Sequence, residues 1–487
     1  MPILTALQHR ADTHPQQLAI QIGDDRLSYA ELRDAVLARL AGMPMMAAPL
    51  PAGPAVVCQA NGLEFVLQFL TGVAGSGSVA VLDPGWPQEQ RNEAVTRLSR
   101  LDATTGPGPA RPDTLTDGPP ESTFLYGFTS GTTTLPKAFR RTRRSWQRSF
   151  PRSAEVIGLT AADRTLAPGP LSASLNLYAL AESLHVGGTF HTLPSFDVAA
   201  ALAGIDQHGI TRLVAVPAVL RLLAQRGLAA NRVCPGITCI VSGGAKLDLD
   251  TSRLLQRWAP AATLVAYYGA AELGFVSATA LAPGREPEPT ETAVGLPFPG
   301  VRIRIVDQQN EPVPAGAAGT IQVASDLVCD GYLWGDDGAA FQRRGAWCTV
   351  GDHGFLDDAG VLHHLGRGHD MIVSAGSNVY PQEVEAALQS VAGVRVAVVT
   401  GVPDDSRGAR VVAAVLAGTE LPGTELEATE LDAAGLRAAS SAQLAAPKRP
   451  QDYYRVSELP LTAAGKISRS VLRRWIEQGD SRVIRLR

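Results

Sequence analysis

The chain has 487 residues, and its 43 lysines and arginines nearly balance its 47 aspartates and glutamates, leaving a formal net charge of −4. This balance excludes a strongly basic protein that coats nucleic acid, so we expect no nucleic-acid partner. Hydrophobic residues make up 45% of the chain and charged residues 18%, which excludes bulk disorder and indicates a globular protein. A chain of this length is expected to form about two or three domains.

The N-terminal segment lacks the features of an export signal, because residues 1–10 contain no charged start followed by an apolar run. No segment approaches the ~18 consecutive apolar residues that a membrane-spanning helix needs. We therefore expect no membrane span and a cytoplasmic location. The five cysteines are scattered and lack the spacing of zinc ligands, so neither a disulfide framework nor a zinc site is expected.

Short β-branched segments alternate with helical windows rich in Leu and Ala over the first three quarters of the chain. The strand candidates are residues 55–58, 79–82, 212–216 and 238–241. Such alternation is typical of parallel strands joined by crossover helices. The sequence therefore predicts an α/β fold whose large N-terminal domain has parallel-rich sheets with flanking helices.

The last quarter of the chain has a different pattern, rich in strands and punctuated by turns. A boundary near Gly366–Asp370 divides a predicted N-terminal domain, residues 1–366, from a small α+β C-terminal domain, residues 367–487. In the small domain we expect a compact βαβ-like stretch whose strands are residues 394–399 and 411–416.

A loop rich in hydroxyl groups follows an apolar strand candidate. Residues 129–137 contain five Ser or Thr side chains, a glycine and a lysine. These groups supply hydrogen-bond donors for phosphate oxygens and one mobile cation. The loop lacks the Gly-Lys-Ser/Thr sequence of a Walker loop, and because Ser/Thr-rich loops are also common as ordinary turns, it needs support from other motifs.

Further motifs follow downstream in a fixed order. They are Tyr267–Glu272, Val350–Asp352, Gly366–Ile372, Ala375–Glu385 and Leu459–Lys466. With the hydroxyl-rich loop, they resemble the adenylate-forming (AMP-binding) superfamily, which contains acyl-CoA and aryl-CoA ligases, adenylation domains and luciferases. The resemblance covers nearly the whole chain, from Leu27–Leu32 onward. It implies an enzyme that joins a carboxylic acid to AMP, with ATP and Mg²⁺ as cofactors.

The resemblance also implies which residues bind ATP and the metal ion. The implied contacts to ATP are made by Thr129, Ser130, Gly131, Thr132, Thr133, Lys137, Tyr268, Gly269, Asp352, Arg367 and Lys466. Glu272 and Thr129 would hold Mg²⁺, which prefers oxygen ligands and phosphate groups. The implied catalytic residues are Lys466, Thr129, Glu272 and Lys137. The resemblance assigns Lys466 to the acid oxygen and the α-phosphate, where its charge offsets the charge that develops during adenylation.

Gly366–Asp370 matches the interdomain hinge of the superfamily. The resemblance implies that the small C-terminal domain is mobile and rotates there, withdrawing Lys466 and presenting the loop around Gly376 to the adenylate. His369 occupies a hinge position that is usually Asp or Lys. A histidine there could make the hinge sensitive to pH, because free histidine titrates near neutral pH, but a simple tolerated substitution is the favoured explanation.

The sequence departs from the superfamily pattern at a few positions. Thr134 and Ala138 stand where glycines are usual, so the geometry of the phosphate loop is expected to differ. Ala271 replaces the threonine that normally precedes the metal-binding glutamate, which removes one hydroxyl contact to the adenylate. The charged residues of the motifs are retained, which argues against an inactive pseudo-enzyme.

The predicted acid pocket is small and apolar. Its candidate residues are Ser172, Ser174, Gly243, Gly244, Ala245, Gly269 and Gly274. Residues 168–178 contain no acidic side chain that could pair with an α-ammonium group, so an α-amino acid is disfavoured. The His-Asn pair of siderophore aryl-acid activators is also absent. We expect an aryl, cinnamyl-like or aliphatic acid.

Coenzyme A is the expected acyl acceptor, because the sequence has no carrier-protein domain with a phosphopantetheine site. Arg140, Arg144 and Arg148 recur every four residues, with Arg141 and Arg143 between them. On a helix this spacing would form a positive stripe that the phosphates of coenzyme A or an acidic carrier protein could neutralise. A solvated face or local salt bridges would explain the spacing equally well.

Three alternative functions remain open. The same residues would support transfer to a separate acyl carrier protein. A few members of the superfamily in secondary metabolism are diazotases that adenylate nitrite for an aryl amine, and the changes at Ala271 and Thr134 make a nonstandard anion conceivable. A nucleotide-binding regulator without turnover is a different class, against which the retained Lys466, Glu272 and Asp352 argue.

Overall fold

The computed structural model describes residues 3–42, 53–101, 113–129, 136–287, 292–336, 338, 341–374, 377–404, 408–418, 431–460 and 467–486. The chain divides into two compact units. Unit 1 comprises residues 1–289, 294–303 and 322–350, and unit 2 comprises residues 290–293, 304–321 and 351–487. The predicted fold class is confirmed: a large sheet-rich α/β unit precedes a smaller C-terminal one.

Helices and strands alternate through the first part of the chain. In chain order the elements are α1 (Leu4–Thr13), β1 (Leu18–Ile22), β2 (Asp25–Ser28), α2 (Tyr29–Gly42), β3 (Ala55–Val57), α3 (Leu63–Gly72), β4 (Val79–Val81), α4 (Gln88–Leu98), β5 (Thr123–Thr129), β6 (Lys137–Thr142), α5 (Arg143–Ile157), β7 (Arg164–Leu166), α6 (Ser174–Val186), β8 (Thr189–Thr192), α7 (Val198–Gln207), β9 (Arg212–Ala215), α8 (Pro217–Ala229), β10 (Cys239–Ser242), α9 (Leu249–Trp258) and β11 (Thr263–Ala270).

Strands dominate the rest of the chain. The elements are β12 (Gly274–Leu281), β13 (Ala293–Pro297), β14 (Arg302–Val306), β15 (Gly319–Ala324), β16 (Tyr332–Trp334), β17 (Gln342–Arg344), β18 (Trp347–Thr349), β19 (Asp352–Leu356), β20 (Leu362–Arg367), β21 (Ile372–Ser374), β22 (Ser377–Val379), α10 (Pro381–Gln389), β23 (Val394–Asp404), β24 (Gly408–Ala417), α11 (Ala433–Gln443), β25 (Asp452–Val456), α12 (Arg469–Gln478) and β26 (Val483–Arg485). Short 3₁₀ helices cover Gly368–Asp370 and Ala446–Lys448.

Parallel strands form the centre of the larger sheet in unit 1. Strands β1, β8, β7, β9, β10 and β11 lie side by side in that order, each parallel to its neighbour. Strands β2 and β12 extend the two sides as antiparallel neighbours. The strands predicted at residues 212–216 and 238–241 are β9 and β10, so the prediction of parallel pairing is confirmed.

A second sheet in unit 1 holds the strands that flank the predicted phosphate loop. Strands β3, β4 and β5 are parallel, β6 returns antiparallel to β5, and β16 adds to β6. Thr129, the last residue of β5, is the register partner of Lys137, the first residue of β6. The sheet thus fixes the spacing of the two ends of the loop.

Helix α6 is part of the main apolar core of unit 1. Leu177, Leu180 and Leu184 are buried there, together with residues from α1, α2 and α3. A helix buried on most of its surface is expected to be apolar all round. Glu182 is an exception, because this carboxylate is fully buried on the same helix.

Unit 2 contains a four-stranded sheet in the order β23, β24, β25, β26. The predicted βαβ-like stretch is wrong in its connection, because β23 and β24 form an antiparallel hairpin. Only three residues separate these strands, and a link that short joins antiparallel strands, whereas a parallel crossover needs a dozen or more residues. The parallel unit is one step later, where α11 lies between β24 and β25.

Among the described residues, the structure has no helix that is long and apolar enough to cross a lipid bilayer.

Candidate active site

Three oxygen-bearing side chains meet in unit 1 and form what we call the oxygen cluster: Thr129, Glu272 and Tyr332. Thr129 ends β5, Glu272 lies between β11 and β12, and Tyr332 begins β16. The hydroxyl of Tyr332 lies 3.1 Å from Oγ1 of Thr129 and donates a hydrogen bond to Oε1 of Glu272. The structure therefore brings together the two predicted metal ligands, with Tyr332 linking them.

Burial keeps the Tyr332 hydroxyl protonated. Burial raises the pKa of this phenol, and the negative charge of Glu272 raises it further. A protonated phenol can donate a hydrogen bond to a carboxylate, whereas a phenolate could not. The Nζ atom of Lys137 lies 5.9 Å from the centre of the Tyr332 ring, so the predicted phosphate-binding lysine lies beside the cluster.

Backbone contacts hold Glu272 in place. Its carbonyl accepts a hydrogen bond from the amide of Cys329 at 2.7 Å. The buried guanidinium of Arg141 donates to the carbonyl of Ala271 at 2.6 Å and to that of Leu327 at 2.7 Å. Burial lowers the pKa of Arg141, while the nearby carboxylate of Glu272 opposes this effect. Arg141 thus connects the segment that carries Glu272 to the segment that leads to Tyr332.

The donor set of the oxygen cluster fits magnesium. Within the described ranges, no group of three or more His, Cys, Asp and Glu side chains could hold a metal ion. Magnesium does not require such a cage, because it usually takes one or two carboxylates and completes its shell with water and substrate phosphates. One buried carboxylate and one hydroxyl at the end of the predicted phosphate loop match that pattern.

Several predicted ATP contacts cannot be placed. Ser130, Gly131, Thr132 and Thr133 lie outside the described residues, as do Thr134, Gly376 and Lys466. Tyr268 and Gly269 lie half-buried on β11, where the pairing with β12 shifts register between them. Ala138, where a glycine is usual, is fully buried in β6 opposite Phe128.

Close packing explains the glycines of the predicted acid pocket. A Cβ atom at Gly243 would lie 2.4 Å from the ring of Tyr267, and one at Gly269 would lie 2.2 Å from the carbonyl oxygen of Gly274. Gly274 itself has φ +74°, a conformation that favours glycine. The strands β10, β11 and β12 can approach this closely only without side chains at these positions.

The other predicted pocket residues lie near the surface. Ser174 begins α6 and is exposed, and Ser172 is half-buried just before it. Gly244 and Ala245 are exposed in the loop after β10. Among the described contacts, no hydrogen bond joins either serine to the glycines of the pocket.

A small cavity in unit 1 lies among the strands that lead to these glycines. Val241, two residues before Gly243, lines it, and so do Tyr267 and Phe275, which flank Gly269 and Gly274. The rings of Tyr267 and Phe275 pack edge to face with centroids 4.6 Å apart. The cavity therefore adjoins the predicted acid pocket on its buried side.

In unit 2, the predicted ribose-binding residues are neighbours. Asp352 on β19 is the register partner of Arg367 on β20. The Nε atom of Arg367 lies 3.4 Å from Oδ1 of Asp352, and Nε2 of His364 lies 3.5 Å from Oδ2. The carboxylate is buried, while half of the Arg367 side chain is exposed. The antiparallel pairing thus places the two predicted ribose-binding residues side by side.

The predicted hinge begins where β20 ends. Residues Gly368–Asp370 form a 3₁₀ helix, and the amide of Gly368 donates to the carbonyl of Gly351 at 2.9 Å. Arg469 on α12 contacts Asp370 at 3.2 Å. The structure describes only the backbone of His369, so its role at the hinge stays a prediction.

The predicted arginine stripe is wrong, because the five arginines do not share one helix. Arg140 and Arg141 lie on β6, and α5 begins only at Arg143. Arg143 is buried and donates to four acceptors, among them the carbonyls of Val73 and Gly77. Burial lowers the pKa of Arg143 to about 10. Two of the five arginines therefore have structural roles.

Two further members of the supposed stripe form local ion pairs. Arg144 pairs with Glu121, and Nε of Arg148 lies 3.9 Å from Asp326. The spacing in the sequence is compatible with a solvated face or with local salt bridges. For Arg144 and Arg148, the structure shows salt bridges. The spacing of arginines in the sequence could not show this, because it depends on where β6 ends and α5 begins.

Sequence reasoning missed Tyr332 as a residue of the site. It is separated from Glu272 by 60 positions and from Thr129 by 203. No local spacing connects residues so far apart. Gly331, which precedes it in the sequence, indicates only a turn.

The chain matches two protein-family models. The AMP-binding enzyme model matches residues 90–333, and the AMP-binding enzyme C-terminal domain model matches residues 383–466. The chain belongs to the AMP-binding enzyme family. The predicted membership of the adenylate-forming superfamily, and with it the prediction of an AMP-forming ligase, is confirmed.

The proteins similar to this chain over nearly the full length include acyl-CoA ligases. An uncharacterized acyl-CoA ligase of Bacillus subtilis is 30% identical, covering 98% of this chain and 99% of that protein. Feruloyl-CoA synthase of Amycolatopsis sp. is 30% identical, covering 96% and 97%. The solved structure of o-succinylbenzoate-CoA synthetase from Bacillus subtilis, in complex with its acyl-adenylate intermediate, has a TM-score of 0.78 at 25% identity and covers 96% of this chain and 98% of that one.

Proposed function

We propose that this member of the AMP-binding enzyme family activates a small carboxylic acid as an acyl-adenylate and transfers the acyl group to the thiol of coenzyme A. The acid is aryl, cinnamyl-like or aliphatic. The observation that carries the proposal is the oxygen cluster beside Lys137, where Tyr332 connects Thr129 and Glu272. The full-length relatives named as acyl-CoA ligases support it.

The first half-reaction needs charge neutralisation and alignment. A carboxylate oxygen attacks the α-phosphorus of ATP, the bond to the bridging oxygen breaks, and pyrophosphate leaves. Lys137 and the hydroxyl groups of the phosphate loop bind the departing pyrophosphate. Lys466 offsets the negative charge on the acid and the α-phosphate, so that two anions can approach each other.

Thr129 and Glu272 would hold Mg²⁺ in this arrangement. The ion would neutralise the triphosphate and orient its oxygens. The hydrogen bond from Tyr332 to Glu272 fixes the orientation of the carboxylate, and Arg141 fixes the backbone on which it stands. These contacts would hold the buried carboxylate of Glu272 in an orientation that can bind a cation.

Four of the predicted ATP contacts have side chains or backbone groups suited to binding the nucleoside. We propose that Asp352 accepts hydrogen bonds from the ribose hydroxyls and that Arg367 donates to ribose and phosphate. Tyr268 and Gly269 would bind the adenine. The pairing of Asp352 with Arg367 in the structure favours these roles, because it sets a carboxylate acceptor beside a guanidinium donor that is half exposed.

The second half-reaction transfers the acyl group. The sulfur of coenzyme A attacks the carbonyl carbon of the adenylate, a thioester bond forms, and AMP leaves with the electrons of the broken acyl–phosphate bond. A carrier-protein thiol would react in the same way. Coenzyme A is favoured because two relatives that cover nearly the whole chain are named as CoA ligases.

Pyrophosphate release tests the proposal directly. The protein is supplied with ATP, Mg²⁺ and one acid at a time from a panel of aliphatic, aryl, cinnamic and amino acids, with and without coenzyme A. We expect turnover with a carboxylic acid and acyl-CoA formation only when coenzyme A is present. Glu272→Gln should reduce release by at least ~100-fold, whereas the exposed control Glu89→Gln should not.

Other outcomes identify the alternatives. Acyl transfer to an added carrier protein but not to coenzyme A would mean the carrier-protein reaction. Turnover with nitrite and an aryl amine, without turnover of any acid, would mean the diazotase. ATP binding without pyrophosphate release across the panel would mean a regulator.

The proposed role of Lys466 is tested by measuring adenylate formation and acyl transfer separately. Lys466→Ala should abolish adenylate formation while leaving most of the acyl transfer from a supplied adenylate. Arg344→Ala removes an exposed cation on β17 and is the control. Equal loss in both half-reactions would contradict the proposed role.

A further inference from the structure

A buried ion pair lies at the inner side of the predicted acid pocket. Nη2 of Arg212 on β9 lies 2.5 Å from Oε2 of Glu182 on α6, and neither side chain is more than 2% exposed. Burying two charges carries a desolvation penalty, which the structure offsets only if the remaining donors and acceptors are also paired. The energetic cost of burying this pair therefore depends on whether every donor of Arg212 and every acceptor of Glu182 has a hydrogen-bond partner.

The carboxylate of Glu182 is well paired. Its second oxygen accepts a hydrogen bond from Ser153, and the hydroxyl of Tyr178 lies 3.1 Å from the same serine and donates to Ser149 at 2.8 Å. This network leaves the negative charge hydrogen-bonded at both oxygens. Tyr178 stays protonated, because burial and the charge of Glu182 raise its pKa well above the ordinary value.

The guanidinium of Arg212 is not fully paired. Its Nε and Nη1 atoms are buried and have no hydrogen-bond partner in the part of the chain that the structure describes. Buried donors in native proteins nearly always have a partner, and exceptions call for an explanation. An ordered water in the cavity, or a ligand oxygen that takes its place, would provide one.

Arg212 and Glu182 both line the cavity beside the pocket glycines. The rest of the wall is largely apolar and aromatic, with Val241, Tyr267 and Phe275 on the side of the glycines. The cavity has room for about one water-sized group. This volume is far below that of a whole small-molecule pocket, so only the terminal group of a substrate could enter the cavity.

We propose that Arg212 binds a neutral hydrogen-bond acceptor at the far end of the acid substrate, such as an ether, hydroxyl or carbonyl oxygen. The enzyme then selects short acids, with an aryl or similarly flat body, that carry such a group opposite the reacting carboxylate. This inference rests on the proposed function, since it names the substrate class of the same pocket.

The charge of the Glu182–Arg212 pair favours a neutral acceptor over a second carboxylate at the far end of the substrate. Glu182 already neutralises Arg212, so a second carboxylate would leave a net negative charge in a buried site. A neutral oxygen satisfies the unpaired N–H groups without adding charge. A long alkyl chain offers no acceptor and would have to pass the ion pair, so the site excludes it.

Matched substrates test the proposal. The kcat/KM for pyrophosphate release is measured for cinnamic and benzoic acids with a para-methoxy, para-ethyl or para-carboxylate group. Methoxy and ethyl groups are similar in size, but only methoxy accepts a hydrogen bond. We expect the methoxy acids to be preferred over the ethyl acids by about 10- to 100-fold, and the carboxylates to be poor substrates.

A double variant links the preference to the ion pair. Glu182→Leu with Arg212→Met removes both charges and keeps similar volume, so it avoids leaving one buried charge unpaired. The ratio of methoxy to ethyl should fall to about one or below. The control Asp206→Leu with Arg232→Met removes an exposed ion pair of unit 1 and should keep the wild-type ratio. Thermal unfolding of each variant verifies that it folds.

The outcomes separate this inference from the proposed function. Equal use of methoxy and ethyl acids by the wild type, an unchanged ratio in the double variant, or preference for the para-carboxylate would each overturn the role of Arg212 while leaving the ligase in place. Calorimetric titration of the same acids in the presence of AMP provides a readout without turnover. Preferential binding of methoxy acids without pyrophosphate release would support the Arg212 site and contradict the ligase. Absence of both binding and release would overturn both.

Discussion

The hydroxyl of Tyr332 donates a hydrogen bond to the carboxylate of Glu272, which lies 60 positions earlier in the chain. The same hydroxyl is 3.1 Å from Thr129, so one phenol connects both predicted metal ligands. Partners of metal ligands usually fix the orientation of the ligand and tune its affinity for the ion. Tyr332 is therefore a positioning residue for metal binding in our interpretation.

Tyr332→Phe should weaken magnesium binding without altering the acid pocket. Without the hydroxyl, Glu272 loses its donor and is free to rotate. We expect the Mg²⁺ concentration that gives half-maximal pyrophosphate release to rise about 10- to 100-fold, with little change in the KM for the acid. Tyr454→Phe, on β25 of unit 2, is the control. An unchanged Mg²⁺ dependence in Tyr332→Phe would contradict the positioning role.

Arg141→Met should destabilise unit 1. The substitution leaves the carbonyls of Ala271 and Leu327 without their donor in a buried environment. We expect the free energy of unfolding to fall by about 2 to 4 kcal/mol, measured by chemical denaturation. Arg144→Met removes an exposed member of the same arginine-rich segment and should change the free energy by no more than ~0.5 kcal/mol. Equal effects of the two substitutions would show that Arg141 does not hold the Glu272 segment.

Strand positions could be predicted from the sequence because they follow from local chemistry. The observed bounds of β3, β4, β9 and β10 agree with the predictions to within one residue at each end. Apolar β-branched runs must be buried, and their length fixes the strand. The order of motifs along the chain likewise singles out Thr129 and Glu272, which the structure brings together through Tyr332.

Contacts between distant segments could not be predicted. In the sequence, Arg141 lies in a segment whose arginines recur every four residues, which is typical of one face of a helix. In the structure Arg141 lies on β6, and the alternation of a strand turns it inward while Arg140 stays exposed. Likewise, nothing in the sequence indicates that Glu182 and Arg212 meet, because their pairing depends on how α6 packs on the sheet.

Gly243→Ala should impair acid binding selectively. The new methyl group would lie 2.4 Å from the ring of Tyr267, so this ring must move toward the cavity. We expect the KM for the acid to rise by about 10-fold or more, with the KM for ATP nearly unchanged. Gly42→Ala has open space around its Cβ position and serves as the control. A parallel rise in both KM values would point to a general disturbance of unit 1.

His191 should make the stability of unit 1 depend on pH. Both of its ring nitrogens are buried and have no hydrogen-bond partner within the described residues. Burial lowers the pKa of His191 to about 3, and the positive charges of His208 and Arg164 act in the same direction. The folded state therefore keeps this imidazole neutral under conditions in which the unfolded chain protonates it.

The sign of the effect follows from proton binding. Between pH 6.5 and about 3 the unfolded state binds one more proton at His191 than the folded state, so stability falls as the pH is lowered through this range. One such proton contributes at most about 1.4 kcal/mol per pH unit. His191→Phe fills a similar volume and should flatten the fall in the free energy of unfolding between pH 6.5 and pH 4, measured by urea denaturation. The exposed control His9→Gln should keep the wild-type slope, and an equal slope in His191→Phe would assign the acid sensitivity to other groups.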